Sequence, residues 1–334
     1  MPVDSLKLSV IIYLLFNIYV HSFQAEGNYG VKATLPAVGG NEGVAVVEKV
    51  GSKVTSVREG DWVIPAKSGF GTWREDCVAD EKVFVKMPFG AADGVPVAYA
   101  ATLAVNPSTA YRLLRDFSAL KPGDVIIQNG ANSMVGLCIV QMAREMGIKT
   151  INIVRADRPE VDTTLRLLSN LGGDVNVTDD YVKTAAFKEL IADLPPVKLA
   201  FNCIAGDVAV QMAESLAPGG SLVTYGGMSK QPAPISQELV ASRGIKLLGF
   251  WISAWNDEKP AAERISMLRD IAAMVREKKL TLFYEIHDFD DFDHALRRSL
   301  EPFGMRKVVL DMQYGDSLKV HDAKSDKDYV MFQQ

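Results

Sequence analysis

Along residues 38–87 apolar and polar positions alternate in short runs punctuated by glycine. "GVAVVEKVGSKV", "GDWVIPA", "GTWREDCVAD" and "KVFVKMP" concentrate Val, Ile, Phe and Trp, the composition and length of strands, and their spacing predicts a small barrel or rolled sheet. From Val97 the period lengthens. "VAYAATLAVNPSTAYRLLRDF" predicts helices, interrupted and restarted at Asn106-Pro107-Ser108. Strands and helices then take turns: "DVIIQ" before "MVGLCIVQMAREMG", "KTINIV" before "VDTTLRLLSNLG", "KLAFNCI" before "VAVQMAESL", "GSLVTYG" before a loop and "IKLLGFWI". That alternation predicts a parallel sheet with helices on both faces. After residue 260 the amphipathic "AAERISMLRDIAAMVREKK" predicts a long helix, followed by a strand at "RKVVL".

The two ends depart from this pattern. Leu8–Val20, "LSVIIYLLFNIYV", is an apolar run of 13 residues, shorter than the ~20 residues of a membrane-spanning helix, so no stable span is expected. It reads equally as a buried or disordered segment and as a signal-peptide core; one lysine precedes it and no clear small-residue cleavage site follows. Residues 313–334 are mostly polar and aperiodic, as in a mobile tail.

Composition sharpens the picture a little. The 334 residues are 48% hydrophobic and 23% charged, enough for a full core and two domains. A net charge of −5 without a dense Lys/Arg block argues against a nucleic-acid surface. Cys77, Cys138 and Cys203 lie far apart with no CxxC pair, neither a disulfide framework nor a zinc site.

The stretch "DVIIQNGANSMVGLCIVQMAREMG" runs from an apolar strand through small residues into a helix. A pyrophosphate held at a helix N-terminus needs such a turn, because bulky side chains would keep it from the backbone N–H groups. Gly130, Ala131, Ser133 and Gly136 supply the small surface; a generic tight turn would look similar. About twenty residues beyond Gly136, "KTINIV" ends in Arg155-Ala156-Asp157-Arg158. An acidic residue here suits a ribose 2′-hydroxyl and flanking arginines suit a 2′-phosphate; a solvated strand end is the plain alternative.

Together, "GNYG", "LPAVGGNEGVAVV", "VNPSTAYRLL", "QNGANSMVG", "INIVRADRP" and "VTYGGMSKQP" resemble the mitochondrial trans-2-enoyl-thioester (enoyl-ACP/enoyl-CoA) reductases of the zinc-free medium-chain dehydrogenase/reductase superfamily, over roughly residues 24–311. The resemblance implies an α/β fold: a GroES-like β-rich catalytic domain plus a Rossmann doubly wound parallel sheet. It divides the chain into an atypical apolar segment 1–23, a first catalytic part 24–105, an NADPH-binding domain 106–255, a return to the catalytic domain 256–312 and the tail 313–334. It further implies a homodimer joined through nucleotide-domain sheet edges, an acyl-carrier-protein or CoA thioester substrate, and a mitochondrial location.

Site residues follow position by position. Tyr29, in the glycine loop "GNYG", matches the family's catalytic tyrosine and proton donor; a phenol remains protonated at working pH and can donate to a carbanion-like centre. From the loop alone, an aromatic lid would be the simpler reading. Asn106 matches a contact on the nicotinamide side, and Asn132, Ser133, Met134 and Val135 match the pyrophosphate loop. Arg155 and Arg158 match the 2′-phosphate clamp, and Tyr225, Gly226, Gly227 and Met228 the loop under the nicotinamide ribose. Phe250, Trp251 and Ile252 match a late strand lining the cofactor, with Trp251 equally readable as core. Lys307 matches a terminal cofactor contact, although a lysine before a last strand is ordinarily a solvent residue.

The expected reaction places hydride on C3 of a 2-enoyl thioester and a proton on C2. Where zinc alcohol dehydrogenases carry Gly-His-Glu, this chain has Gly40-Asn41-Glu42 without a neighbouring Cys/His set, which favours metal-free transfer. A quinone reductase of the same superfamily and a catalytically impaired NADPH-binding protein are the competing readings. Met134 stands where the family has glycine, so its side chain must turn from the phosphates. Arg-Ala-Asp-Arg carries an extra residue, which shifts the second arginine. The family's strands before Gly-Asn-Tyr-Gly have no counterpart in residues 1–23, so the catalytic domain is expected to be N-terminally truncated, with an open sheet edge.

Overall fold

The structure is a computed structural model that describes residues 7–16, 34–301 and 306–312. The chain divides into two compact units: one takes the residues up to Val105, Ser253–Lys278 and those from Leu282, the other Asn106–Ile252 and Lys279–Thr281.

The first unit is built on a seven-stranded sheet. Its strands are β1 (Lys7–Phe16), β2 (Glu42–Val50), β3 (Trp62–Pro65), β4 (Asp76–Asp80) and β5 (Phe84–Lys86), and, after the chain returns, β12 (Tyr284–Asp288) and β13 (Lys307–Asp311). The order is β12-β13-β1-β2-β3-β5, with β4 also on β1. The expectation of an open edge left by missing strands is therefore corrected. The described part of the apolar run at the front, up to Phe16, is itself a strand, and a central one. On one side Leu8–Phe16 pairs antiparallel with β2; on the other, Lys7–Ile11 pairs with β4 and Leu14–Phe16 with β13. Leu8, Val10 and Ile12 alternate onto the core face, among Val47, Val63, Phe84, Val308 and Leu310. Ser9, on the opposite face and also buried, donates to Glu48 Oε2 at 3.0 Å. Apolar residues follow one another without a break from Val10 to Phe16, so the sequence has no period to separate this strand from a short helix.

The second unit holds a six-stranded parallel sheet in the order β11-β10-β9-β6-β7-β8. Its strands are β6 (Val125–Asn129), β7 (Lys149–Val154), β8 (Val175–Thr178), β9 (Val197–Asn202), β10 (Leu216–Thr224) and β11 (Lys246–Gly249). Helix α1 (Asn106–Asp116) precedes β6; α2 (Met134–Glu145), α3 (Val161–Asn170), α4 (Ala185–Ala192), α5 (Gly206–Ser215) and α6 (Gln237–Arg243) lie between successive strands. Gln141, buried on α2, binds Thr281 as a second backbone would: Nε2 donates to its carbonyl at 3.0 Å and Oε1 accepts from its N–H at 2.8 Å. This explains why residues 279–281 belong here.

Three further helices, α7 (Ile252–Glu258), α8 (Ala261–Arg276) and α9 (Phe292–Leu300), follow β11, with the last lying between β12 and β13, and a single helical turn at Val97–Ala100 precedes α1. Arg264 of α8, buried in the first unit, donates to the carbonyls of Ala66 at 2.9 Å and Pro65 at 3.2 Å.

If β1 is integral to its sheet, Leu8→Ala costs about 2–5 kcal/mol, the usual range for a fully buried leucine. Urea denaturation followed on the first unit's tryptophans measures it. A loss within about 0.5 kcal/mol, as at a surface position, would remove β1 from the sheet.

Candidate functional site: the strand ends of the parallel sheet and a buried carboxyl

In a parallel sheet every strand points its carboxyl end to the same edge, and there the second unit gathers most of the expected residues. β6 runs into the turn Gly130–Ser133, and α2 starts at once. Ser133 caps it, its Oγ accepting the Gly136 N–H at 3.2 Å, so the remaining first-turn N–H groups are left to face an anion. Both glycines are needed. Gly130 has φ +60°, and a Cβ there would meet Cys203 Sγ at 2.6 Å; one at Gly136 would meet the Ala131 carbonyl oxygen at 2.5 Å. Met134 and Val135 are buried, so the methionine's bulk does turn inward, while Asn132 and Ser133 are half-buried at the turn.

Sequence reasoning missed what holds this edge together. Asn129, the last residue of β6, donates from Nδ2 to Asn202 Oδ1 on β9 at 2.7 Å. Asn129 Oδ1 accepts the Cys203 N–H at 2.8 Å, and Asn202 Oδ1 also accepts the Ala205 N–H at 2.9 Å. Asn202 Nδ2 continues to Thr224 Oγ1 of β10 at 3.1 Å. Three strand ends are thus tied by buried amides, which also fix Ala205 at φ 67°, a conformation costly outside glycine. A second ladder, Gln128–Asn152–Asn176, runs one residue deeper across β6, β7 and β8. A polar residue at the same register of adjacent strands is the signal that could have revealed both.

The loop Tyr225–Met228 is pinned to β9: Tyr225 N–H donates to the Asn202 carbonyl and Met228 N–H to that of Cys203, both at 2.9 Å. The Tyr225 hydroxyl is buried beside Cys203 and Ser133. Burial, then the Cys203 thiol, hold its pKa well above the ordinary phenol value, and burial pushes the thiol up to about 11. Gly226 lies against the Cys203 carbonyl, whereas Gly227 and Met228 are exposed. Phe250 follows β11 rather than belonging to it: its N–H donates to the Thr224 carbonyl at 3.0 Å and its ring meets Phe117 edge-on. Trp251 is 40% exposed, so it is not core, and buried Ile252 opens α7 instead of ending a strand.

Arg155 and Arg158 emerge just past β7. Asp157 binds Arg155 through both oxygens, at 2.9 Å to Nε and 2.6 Å to Nη2. Arg158 is buried, and its pKa is lowered first by burial and then by the positive charge of Arg155. The two guanidiniums are therefore close enough to repel, an arrangement that an anion between them would relieve. Asn106 opens α1 with its buried Oδ1 lacking a hydrogen-bond partner, an acceptor left for a ligand's N–H. These features fit a nicotinamide dinucleotide: a glycine cradle that a Cβ would fill, an orphaned amide oxygen and a cationic pair at the strand end.

In the first unit, Tyr29 lies outside the described residues. The neighbouring "GGNEG" is explained by packing: Gly40, at φ +105°, faces Thr72, whose Oγ1 a Cβ would meet at 2.2 Å, and Gly39 packs on the Trp73 ring. Asn41 Oδ1 accepts the Gly69 N–H at 2.6 Å. The chemistry of this segment rests with Glu42. Fully buried, its Oε1 accepts the Val105 N–H at 2.7 Å, fixing the peptide just before Asn106, while Oε2 has no partner. Burial raises its pKa from 4.5 to about 8 against the opposing pull of Lys307 and Arg264. Burial lowers Arg264 to about 10, and Glu42 works against that shift. Lys307 opens β13 and faces this carboxyl electrostatically, so it is not simply a solvent lysine.

Among the described residues one cluster has metal-ligand chemistry, His287, Asp291 and His294, far in sequence from Gly40–Glu42. The three cysteines are buried, and none is in a disulfide.

Between 4.5 and about 8 the folded chain keeps the Glu42 proton that the unfolded chain releases. The associated stability is fully present below 4.5 and is lost as pH rises through about 8. Glu42→Gln keeps the shape and removes the titration. We expect its stability relative to wild type to improve from pH 5 to pH 8 by on the order of a few kcal/mol. Denaturation midpoints across that range measure it, and parallel pH profiles would contradict it.

Comparison with known proteins agrees with this geometry. Residues 17–89 match the model for the alcohol dehydrogenase GroES-like domain and residues 135–267 that for zinc-binding dehydrogenase. The mitochondrial enoyl-[acyl-carrier-protein] reductase of Dictyostelium discoideum is 44% identical over 289 residues, 86% of this chain and 81% of that protein. The mitochondrial 2-enoyl thioester reductase Etr1p/Etr2p heterodimer from Candida tropicalis superposes with a TM-score of 0.83 at 31% identity, covering 92% of each chain. The complex of Etr1p with NADP and crotonyl-CoA superposes at 0.84, also at 31% identity and 92% of each chain. The chain, with its GroES-like and Rossmann parts, belongs to the mitochondrial enoyl-[acyl-carrier-protein] reductases of the medium-chain dehydrogenase/reductase superfamily.

Proposed function

We propose that the chain reduces trans-2-enoyl thioesters, on CoA or acyl-carrier protein, to acyl thioesters with NADPH, in mitochondrial fatty acid synthesis. The observation that carries this is the 44% identity to an enoyl reductase over most of both chains, joined to a strand-end site whose residues fit a dinucleotide. Bound NADPH supplies the hydride for C3. The chain's own residues then do the rest: Asn132, Ser133 and the α2 N-terminus hold the pyrophosphate, the Tyr225–Met228 loop and Phe250 shape the ribose and nicotinamide side, and Tyr29 gives the proton to C2.

The preference for NADPH over NADH is supported by the same ion pair that complicates the sequence reading. Asp157, the acidic residue that would take a ribose 2′-hydroxyl, has both oxygens occupied by Arg155, and Arg158 lies within that cation's influence. A 2′-phosphate replaces Asp157 as partner of Arg155 and neutralises the pair.

Assembly follows from the free edge of the parallel sheet. β11 is its terminal strand, and Leu247 and Leu248 are 48% and 39% exposed there. Such an edge invites pairing with a second copy, so a homodimer closes it. Sedimentation at twice the chain mass is the expected result; a monomer at tens of micromolar would contradict it.

Purified chain oxidises NADPH with trans-2-hexenoyl-CoA, and Tyr29→Phe lowers kcat by about 10²–10⁴, the usual share of a general acid. Turnover of quinones with none of the enoyl thioester would contradict the proposal. Replacing Arg155 and Arg158 by alanine cuts the preference for NADPH over NADH by at least about tenfold, the equivalent of one lost charged contact. Unchanged relative affinities would remove them from the 2′-phosphate site.

A further inference from the structure

The segment that re-enters the first unit brings two histidines and a carboxylate together in a place none of the chemistry above uses. His287 stands on β12, where it pairs with Leu310 of β13; Asp291 is the residue at the start of α9, and His294 lies three residues further along. Each offers one ligand atom, and the three atoms lie within 4.8 Å of one another. The imidazoles are 5.3 Å apart between ring centres.

Two further details favour a ligand. Asp291 occupies the N-cap of α9, where an aspartate ordinarily accepts a first-turn N–H, yet it makes no capping hydrogen bond. Its carboxylate lies instead 3.2 Å from His294 Nδ1. Behind His287, Glu285 Oε1 lies 3.5 Å from Nε2 and is itself held by Arg298 Nε at 2.8 Å. Arg298 is in turn paired with Glu301. A carboxylate behind a histidine, fixed by its own partner, is the outer-shell arrangement that orients metal-ligating imidazoles. His287 is also the less exposed of the two histidines, with 16% of its side chain accessible against 59% for His294.

We propose that His287, Asp291 and His294 bind a divalent first-row transition ion of the zinc, nickel or copper class. Two imidazoles and one carboxylate are borderline donors that suit these ions better than magnesium or calcium. Zinc takes such ligands at about 2.0–2.2 Å, and the exposed side chains of Asp291 and His294, already 3.2 Å apart, have room to adjust to it. The ion ties β12 to α9, so its effect is to stabilise the return segment in proportion to its occupancy. It takes no part in hydride transfer.

The test uses the untagged full chain, stripped with chelator, and Zn²⁺ alone as the probe, titrated in competition with a chromogenic chelator. Wild type binds about one equivalent and its thermal midpoint rises with zinc. His287→Ala/His294→Ala, which alters only this cluster and leaves His21, His321 and all three cysteines in place, loses that equivalent together with the zinc-dependent rise. Glu285→Gln weakens binding by about 10–100-fold, as outer-shell losses do. One equivalent retained at full affinity in the double variant places the ion elsewhere and overturns the proposal, as does the absence of saturable binding by wild type at micromolar zinc.

Discussion

The nucleotide-binding unit depends on one buried amide pair, Asn129 on Asn202 at 2.7 Å. A parallel sheet brings its strand ends to one edge, but it does not by itself fix the loops that leave them. Here the two amides do so: their oxygens accept the N–H groups of Cys203 and Ala205, and one nitrogen reaches on to Thr224. The bonds between the amides and to Cys203 and Ala205 are buried, so leaving any of those groups unmatched would cost more than an ordinary hydrogen bond contributes. The positive φ of Ala205, the close approach of Gly130 to Cys203 and the pinned Tyr225–Met228 loop all follow from that tie. The tie holds the loops that leave β6, β9 and β10 in one hydrogen-bonded arrangement.

The other unit solves a different problem. Its sheet is built around β1, a largely apolar strand that hydrogen-bonds on both edges. Covering both edges of an apolar strand removes a template for aggregation. Next to it the unit tolerates a buried carboxyl group with one unmatched oxygen, Glu42. The group remains protonated through neutral pH because burial outweighs two cations, and its one good bond fixes Val105 at the point where the chain crosses into the other unit. A carboxyl kept at that cost is placed for position rather than for packing.

How much of this could be read from the sequence differs from element to element. The parallel sheet was legible because half-buried helices and buried strands alternate with clear periods, and the dinucleotide turn was legible because only small residues can sit there. Met134 looked out of place in that turn; its side chain is buried, a direction that sequence spacing does not give. β1 was illegible for a physical reason: apolar residues stand at every position from Val10 to Phe16, and periodicity is then silent. The Asn129–Asn202 tie was hidden because its partners come from separate strands, related only by register. That Asp157 pairs with Arg155 through both oxygens could not be read from the sequence, which shows only that the two are neighbours. Trp251 and Ile252 show the usual uncertainty at a strand's end, where β11 stops at Gly249 and a helix follows directly.

The claim that unites these parts is that the chain saturates a carbon–carbon double bond beside a thioester. The most direct measurement is the isotopic pattern of the product formed from trans-2-hexenoyl-CoA and NADPH deuterated at the transferable C4 position, analysed by mass spectrometry and NMR. The account predicts hexanoyl-CoA with one deuterium at C3 and a solvent hydrogen at C2. Recovery of unreduced enoyl-CoA while the same preparation binds NADPH, or deuterium at C2, would contradict it.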